Sequence, residues 1–405
     1  MKLIERLKDF SRAYLDYKNF QRLPQSYRKI VFYAEDQQSQ NYISDLVFEL
    51  TLKKNETVCY LASDINGSIF DLAEKNSRLK VFYIGLGIIR TLTFINLRAD
   101  LLITTMPDLQ TYHLKKSIIY DVHYLYIFHA LVSTHSNYRK GAFDNFDTIF
   151  CVGPHHLREI RETENIYKLN KKNLFRDGYR PLEYLIKEKS SYSNKDKDNF
   201  GDKIVLLAPS WGENSILEYC GTSVINYLLD SNNEVYLRLH PMTQNLNPEL
   251  VYKIKDEFIN IENFHLEEEI SDRITLFKSD ILITDWSGIG LEYAFGLLKP
   301  VIFVDTPKKN NNPESHLLTN EPIEKTIRSK IGKVIAVENL HNINSVIENT
   351  IFSVNRSQLI SKRNEYVFNT EGSMNRAVNR IVSLANSNQK RNIKKTTSET
   401  LSGFH

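Results

Sequence analysis

Three short stretches carry the residue types from which a phosphate site is built: Ser210-Trp211-Gly212, Arg238 with His240-Pro241, and Asp285-Trp286-Ser287-Gly288. Serine offers a hydroxyl, glycine lets an anion approach the backbone, and arginine and histidine donate hydrogen bonds to phosphate oxygens. Each stretch lies at the end of a run that reads as a buried strand: the one opening at Ile204, Glu234–Leu239, and Ile281–Thr284. A helix starting near Ser287 and stopping before Pro300, with a further strand from Val301, completes a βαβ unit. In an open parallel sheet the carboxyl ends of the strands lie side by side, so the three turns are expected to converge there. Helix amides and the helix dipole favour an anion at such an edge. Arg238, His240, Ser287 and Gly288 then form a diphosphate clamp, Ser210 and Trp211 border it with Asp285, and Glu292 faces ribose hydroxyls from the following helix. An ordinary capped helix on an ordinary sheet would use several of the same residue types.

A second group of candidates lies earlier. His129 and His135 flank the end of the apolar run that starts at Tyr124. A histidine at a sheet edge can act as a general base toward a hydroxyl near neutral pH. No carboxylate or cysteine stands at ligand spacing beside either ring, so no metal is expected. His155-His156 reads as the start of a helix, and Arg139-Lys140 as a solvated loop face.

The elements that must position these residues follow from pattern and length. At 405 residues, with 41% hydrophobic and 25% charged residues, the chain reads as two globular domains. Strands are expected at Lys29–Ala34, Val58–Ala62, Leu79–Ile84, and from Asp100 and Asp147 onward; Asp100-Leu-Leu-Ile-Thr echoes Asp280-Ile-Leu-Ile-Thr. Such an echo is what two tandem Rossmann-like domains of an α/β protein produce. The expected division is an amphipathic helix in 1–26, a first domain in 27–186, a polar linker in 187–203, a second domain in 204–385, and a basic disordered tail in 386–405. A net charge of +3 excludes a dedicated nucleic-acid binder. Three scattered cysteines indicate neither a disulfide framework nor zinc. No signal peptide is visible, and the most apolar stretch, Val81–Leu97, is broken by Arg90 and short for a membrane span. A cytoplasmic protein is expected. The helix over residues 2–18 carries Leu3, Ile4, Leu7, Phe10 and Tyr14 on one face and five basic residues elsewhere, a pattern for contact with the inner membrane surface that Glu5, Asp9 and Asp16 dilute.

Taken together, Leu237-Arg-Leu-His-Pro, Thr284-Asp-Trp-Ser-Gly-Ile-Gly-Leu-Glu and Lys299-Pro-Val-Ile-Phe resemble the CDP-glycerol glycerophosphotransferase family, the teichoic-acid and capsule polymerases and primases. Ala208-Pro-Ser-Trp also resembles the family's opening strand of the nucleotide domain, so the likeness is strongest over residues 204–304. It implies a GT-B fold, with two Rossmann-like domains facing across a cleft, and transfer of a polyol phosphate from a CDP-linked donor to a glycan or lipid-linked hydroxyl, without a cofactor or metal. The family's Trp-His-Gly motif corresponds here to Phe128-His129-Ala130, which implies His129 as the base, with His135 as the alternative and His240 among the catalytic residues. Trp286, Gly288 and Glu292 replace the family's usual tyrosine, second serine and aspartate. Other GT-B enzymes using UDP- or CMP-sugars, sugar-nucleotide epimerases, and a non-catalytic nucleotide-sugar-binding protein are the competing expectations.

Overall fold

The computed structural model describes residues 2–192, 203–267 and 273–402. The chain divides into two compact units, one of residues 1–129, 138–178 and 371–405, the other of residues 130–137 and 179–370.

The first unit holds seven parallel strands: β1 (Ile30–Ala34), β2 (Val58–Ala62), β3 (Leu79–Tyr83), β4 (Leu101–Thr104), β5 (His123–Ile127), β6 (Thr148–Cys151) and β7 (Asn173–Arg176). Their order is β3-β2-β1-β4-β5-β6-β7. The second unit has six: β8 (Ile204–Leu207), β9 (Glu234–Arg238), β10 (Phe264–Glu267), β11 (Ile281–Thr284), β12 (Val301–Asp305) and β13 (Lys333–Ala336), ordered β10-β9-β8-β11-β12-β13. Helices cover both faces of a doubly wound sheet, so its central strands are apolar on both sides. β1, β2, β4 and β11 are accordingly buried at every residue. In both sheets the strand order reverses beside the first strand, between β1 and β4 and between β8 and β11. Those reversals open a crevice at the carboxyl edge.

The strands expected from apolar runs are present; the departures lie at boundaries. The tail expected to be disordered is helical: residues Ser373–Ser402 form one helix that belongs to the first unit, not to a domain ending at 385. Ala377, Val378, Ile381, Leu384 and Ala385 join the first core. Beyond them, the amides of Asn388 and Asn392 donate to the carbonyls of Asp100 and Asp121 and to the Asp100 carboxylate. Asparagines that read as solvent-loving in sequence are here buried hydrogen-bonding groups. The linker expected at 187–203 begins inside a helix, Arg180–Ser191, of the second unit, and its residues 193–202 lie outside the described residues. The single helix expected from about Ser215 to Leu229 is broken into Ile216–Cys220 and Ser223–Leu229 by Gly221, whose φ of +69° no longer continues a helix.

The stretch Val81–Leu97 resolves into the end of β3 and the helix Ile88–Ile95. Arg90, the charge that interrupts it, is buried and pairs with Glu35 beside the Tyr33 hydroxyl.

Candidate functional site

At the second sheet's crevice the organising group is Asp285, fully buried at the end of β11. Its two carboxylate oxygens accept the backbone N–H of Ser210 (2.9 Å) and of Ile216 (3.0 Å), tying the loop after β8 to the turn after β11. Burial pushes the Asp285 pKa up and these N–H donors oppose the rise. The loop between them turns at Gly212, where φ is +89°, and the Glu218 carboxylate accepts the Gly212 N–H. Ser215 caps the following helix by accepting the Glu218 N–H.

His240 ends the loop after β9, the neighbour of β8. Its Nδ1 accepts the Met242 N–H at 3.1 Å, so the neutral ring carries its hydrogen on Nε2, free to donate. Burial and then the Lys309 ammonium push its pKa down to about 4. The ring lies 6.1 Å from that of Trp211, centroid to centroid. Ser210, Trp211, His240 and Asp285 are thus brought to one edge, with the Ser287–Gly288 turn continuing from Asp285.

Three expected roles change. Arg238 is buried with its guanidinium held by Glu267 and by the Thr275 hydroxyl, so the strand places it in an internal ion pair and not in a clamp. Glu292 is half-buried, and one of its oxygens accepts the Tyr179 hydroxyl at 2.9 Å. Burial raises its pKa against that bond, which makes it part of the packing between its helix and Tyr179. The glycines, expected to admit phosphate, answer to packing. Gly288 has an ordinary helical φ of −62°, and an added Cβ would lie 3.3 Å from Val132; at Gly290 it would lie 2.6 Å from Phe303. Trp286 anchors the turn by donating from its indole to the Thr306 carbonyl, with Arg328 stacked on its ring.

Sequence reading missed Lys309. It lies beyond β12, and its ammonium sits 3.1 Å from the Trp211 ring centroid and donates to the Trp211 carbonyl. Burial lowers its pKa to about 8 while Asp285 and Glu218 hold it up. The only sequence signal is the pair Lys308-Lys309 after a strand's carboxyl end.

The two histidines expected as alternatives for one role fall in different units. His129 follows β5 in the first unit, half-buried, between Tyr42 and Tyr138. Burial pushes its pKa down, and a backbone hydrogen bond to Thr105 and the nearby Asp36 carboxylate oppose the shift. His135 belongs to residues 130–137, a strap counted with the second unit. There the Glu324 carboxylate accepts the Ser133 N–H (2.6 Å) and the Asn137 amide, Asn312 donates to the His135 carbonyl, and Asn311 donates to the carbonyls of Ser136 and Asn137.

Residues 127–312 match the model of the family described as CDP-glycerol:poly(glycerophosphate) glycerophosphotransferase. Over this part the chain is similar to that family. The matched part spans His129, the strap and every candidate of the second edge. No curated protein matches the chain at the sequence level. Among solved structures, the wall teichoic acid polymerase TagF soaked with CDPG superposes with a TM-score of 0.57 at 12% identity, over 95% of each chain. The UDP-GlcNAc 2-epimerase of Methanocaldococcus jannaschii, in complex with UDP-GlcNAc and UDP, gives 0.55 at 13%, over 87% of this chain and 99% of its own. At such identities the likeness is one of fold, the α/β GT-B class with two Rossmann-like sheets. The family match over residues 127–312 supports a transferase of the CDP-glycerol glycerophosphotransferase type.

Proposed function

We propose that this protein transfers glycerol phosphate, or a related polyol phosphate, from a CDP-linked donor to a hydroxyl of a cell-surface glycan or lipid-linked acceptor. The observation that carries the reading is the second sheet's edge within the matched segment. There Asp285 locks the Ser210 loop to the Ser287 turn, and a neutral His240 presents Nε2–H. In this reading the donor diphosphate lies at that edge with Ser287 and His240 donating to it. His129, kept neutral near pH 7 by its lowered pKa, takes the acceptor proton. The acceptor oxygen forms a bond to the phosphorus that bears the polyol. The bond from that phosphorus to the bridging oxygen breaks, and CMP leaves with the bridging oxygen and its electron pair. Hydrogen bonds to the departing phosphate that strengthen as charge develops lower the barrier. The reading assigns these steps to side chains and calls on no cofactor.

The same reading extends to a membrane surface. On the helix Lys2–Arg22, Ala13 and Phe20 are buried, whereas Leu7, Phe10, Tyr14 and Leu15 are exposed, with Arg6, Lys8, Lys18 and Arg22 around them. Two of the diluting acids, Asp9 and Asp16, are bonded to Tyr83. Asp16 accepts the Tyr83 N–H and Asp9 the Tyr83 hydroxyl. The outer face is therefore apolar and basic, the composition that binds anionic lipid headgroups. Among the described residues no helix is long and apolar enough to cross a membrane.

The decisive assay incubates the pure protein with CDP-glycerol and a hydroxyl acceptor, follows CMP release, and runs UDP-GlcNAc in parallel. CMP release that depends on acceptor supports the proposal; turnover of UDP-GlcNAc alone replaces it with a sugar-nucleotide enzyme. For the membrane contact, co-sedimentation with phosphatidylglycerol vesicles should be lost in Phe10→Asp with Leu7→Ser, and equal sedimentation of the double variant would remove it.

A further inference from the structure

The cation of a diphosphate site should be one that the protein itself leaves without a counter-charge. Among the described residues, Arg238, Arg328 and Lys309 are buried or half-buried cations near the carboxyl edge around β9, β8, β11 and β12. Arg238 is neutralised by Glu267, and Arg328 by Asp305 at 2.5 Å while it stacks on Trp286. Lys309 is different. It is half-buried, and among the described residues no carboxylate comes within ion-pair distance of it; its contacts are the Trp211 ring face and the Trp211 carbonyl. Asp285 and Glu218 act on it from farther off, and both carboxylates are already occupied by backbone N–H groups. A partly desolvated ammonium held by a carbonyl and an aromatic face is left short of negative charge. Its neighbours are those of the edge already described: the Gly212 turn, where an added Cβ would come 3.9 Å from the ammonium nitrogen, and His240, whose pKa it depresses.

We infer that Lys309, and not Arg238, is the cation that holds the diphosphate of the nucleotide donor, with Trp211 as the platform that keeps its stem extended toward that group. The inference rests on the proposed donor site and names its charge. Trp211 shields one side of the ammonium, and the Gly212 turn, lacking a side chain, leaves room beside it. A lysine acts as a point charge, so it tolerates a diphosphate whose oxygens rotate as the terminal group is transferred, where a forked arginine would hold two of them fixed.

Calorimetric titration of the full chain separates this from the donor reading. Wild type and Lys309→Met, which keeps the apolar stem on Trp211, are each titrated with inorganic pyrophosphate, CDP, UDP and cytidine. Expected is a loss of at least about tenfold in affinity for pyrophosphate and CDP with cytidine unchanged, and recovery of most of it in Lys309→Arg. Arg238→Lys, with matched thermal melting, should bind CDP like wild type. Undiminished CDP and pyrophosphate binding by Lys309→Met overturns the inference and leaves the donor reading intact. Pyrophosphate binding lost in Lys309→Met, with no preference of wild type for CDP over UDP, keeps the inference and overturns the CDP-linked donor. A wild type that binds neither anion overturns both.

Discussion

The two sheet edges are built on one plan and end in opposite electrostatic states. Each sheet reverses its strand order beside its first strand, and each reversal brings together a loop after that strand and a turn three strands later in the chain. At the first edge the charges are settled internally: Arg90 pairs with Glu35, the Tyr33 hydroxyl meets Ser63, and His129 is held neutral by burial. At the second edge a buried carboxylate is spent on backbone N–H groups, and among the described residues Lys309 has no carboxylate within ion-pair distance. An edge with no net demand for charge suits a neutral hydroxyl; an edge short of negative charge suits a diphosphate. A shared strand order around the crevice thus leaves the chemistry to a few loop residues.

The comparison can be broken at its most sensitive points. The largest effect is expected from His129→Ala, about 1000-fold in kcat with donor affinity unchanged, measured by CMP release and calorimetry. A loss of donor binding instead would move His129 out of the acceptor role. His240→Ala should cost about 100-fold in kcat/KM and weaken CDP binding, because the Nε2–H donor disappears; unchanged CDP affinity would detach it from the diphosphate. Asp285→Ala should destabilise the second unit by about 3 kcal/mol in urea unfolding, since it orphans two backbone N–H groups in a buried place. Glu324→Ala, which releases the strap, should cost about tenfold in kcat/KM, with partial rescue by Glu324→Gln, whose amide oxygen still accepts a hydrogen bond. Were the strap mere packing, Ala and Gln would differ in melting temperature and not in kcat/KM.

The smallest effect is a pH slope. The folded His240 pKa of about 4 lies below the unfolded 6.5, so the unfolded chain binds a proton that the folded chain refuses. Stability from this group is full above pH 6.5 and falls as pH drops from 6.5 through about 4. His240→Gln should flatten that part of the curve in urea unfolding at pH 7 and pH 5; an unchanged slope would mean that other groups set it.

Much of this was legible in the sequence because it depends on local pattern. Apolar runs of four or five residues bounded by turn residues locate the strands, and the turns after them locate Ser210, His240 and Asp285, since parallel strands share one carboxyl edge. Family likeness rested on the same local strings and is met by the match over residues 127–312. Charge roles were not legible. Arg238 and Lys309 are both basic residues beyond a strand, and only the positions of Glu267 and Thr275 decide that one is neutralised and the other not.

Unit membership was hidden for the same reason. His129 and His135 are six positions apart, yet the side chains that bind the strap come from Asn311, Asn312 and Glu324, far away in the chain. The helix Ser373–Ser402 returns to a first unit whose last strand ends at Arg176. Sequence by itself determined the doubly wound sheets and the placement of their edge turns, because burial on both faces of a parallel strand imposes a readable apolar run. The tertiary structure alone decided which charges cancel, which histidine goes with which sheet, and which lysine lies against the Trp211 ring. Those outcomes depend on pairings across the fold, and no periodicity along the chain records them.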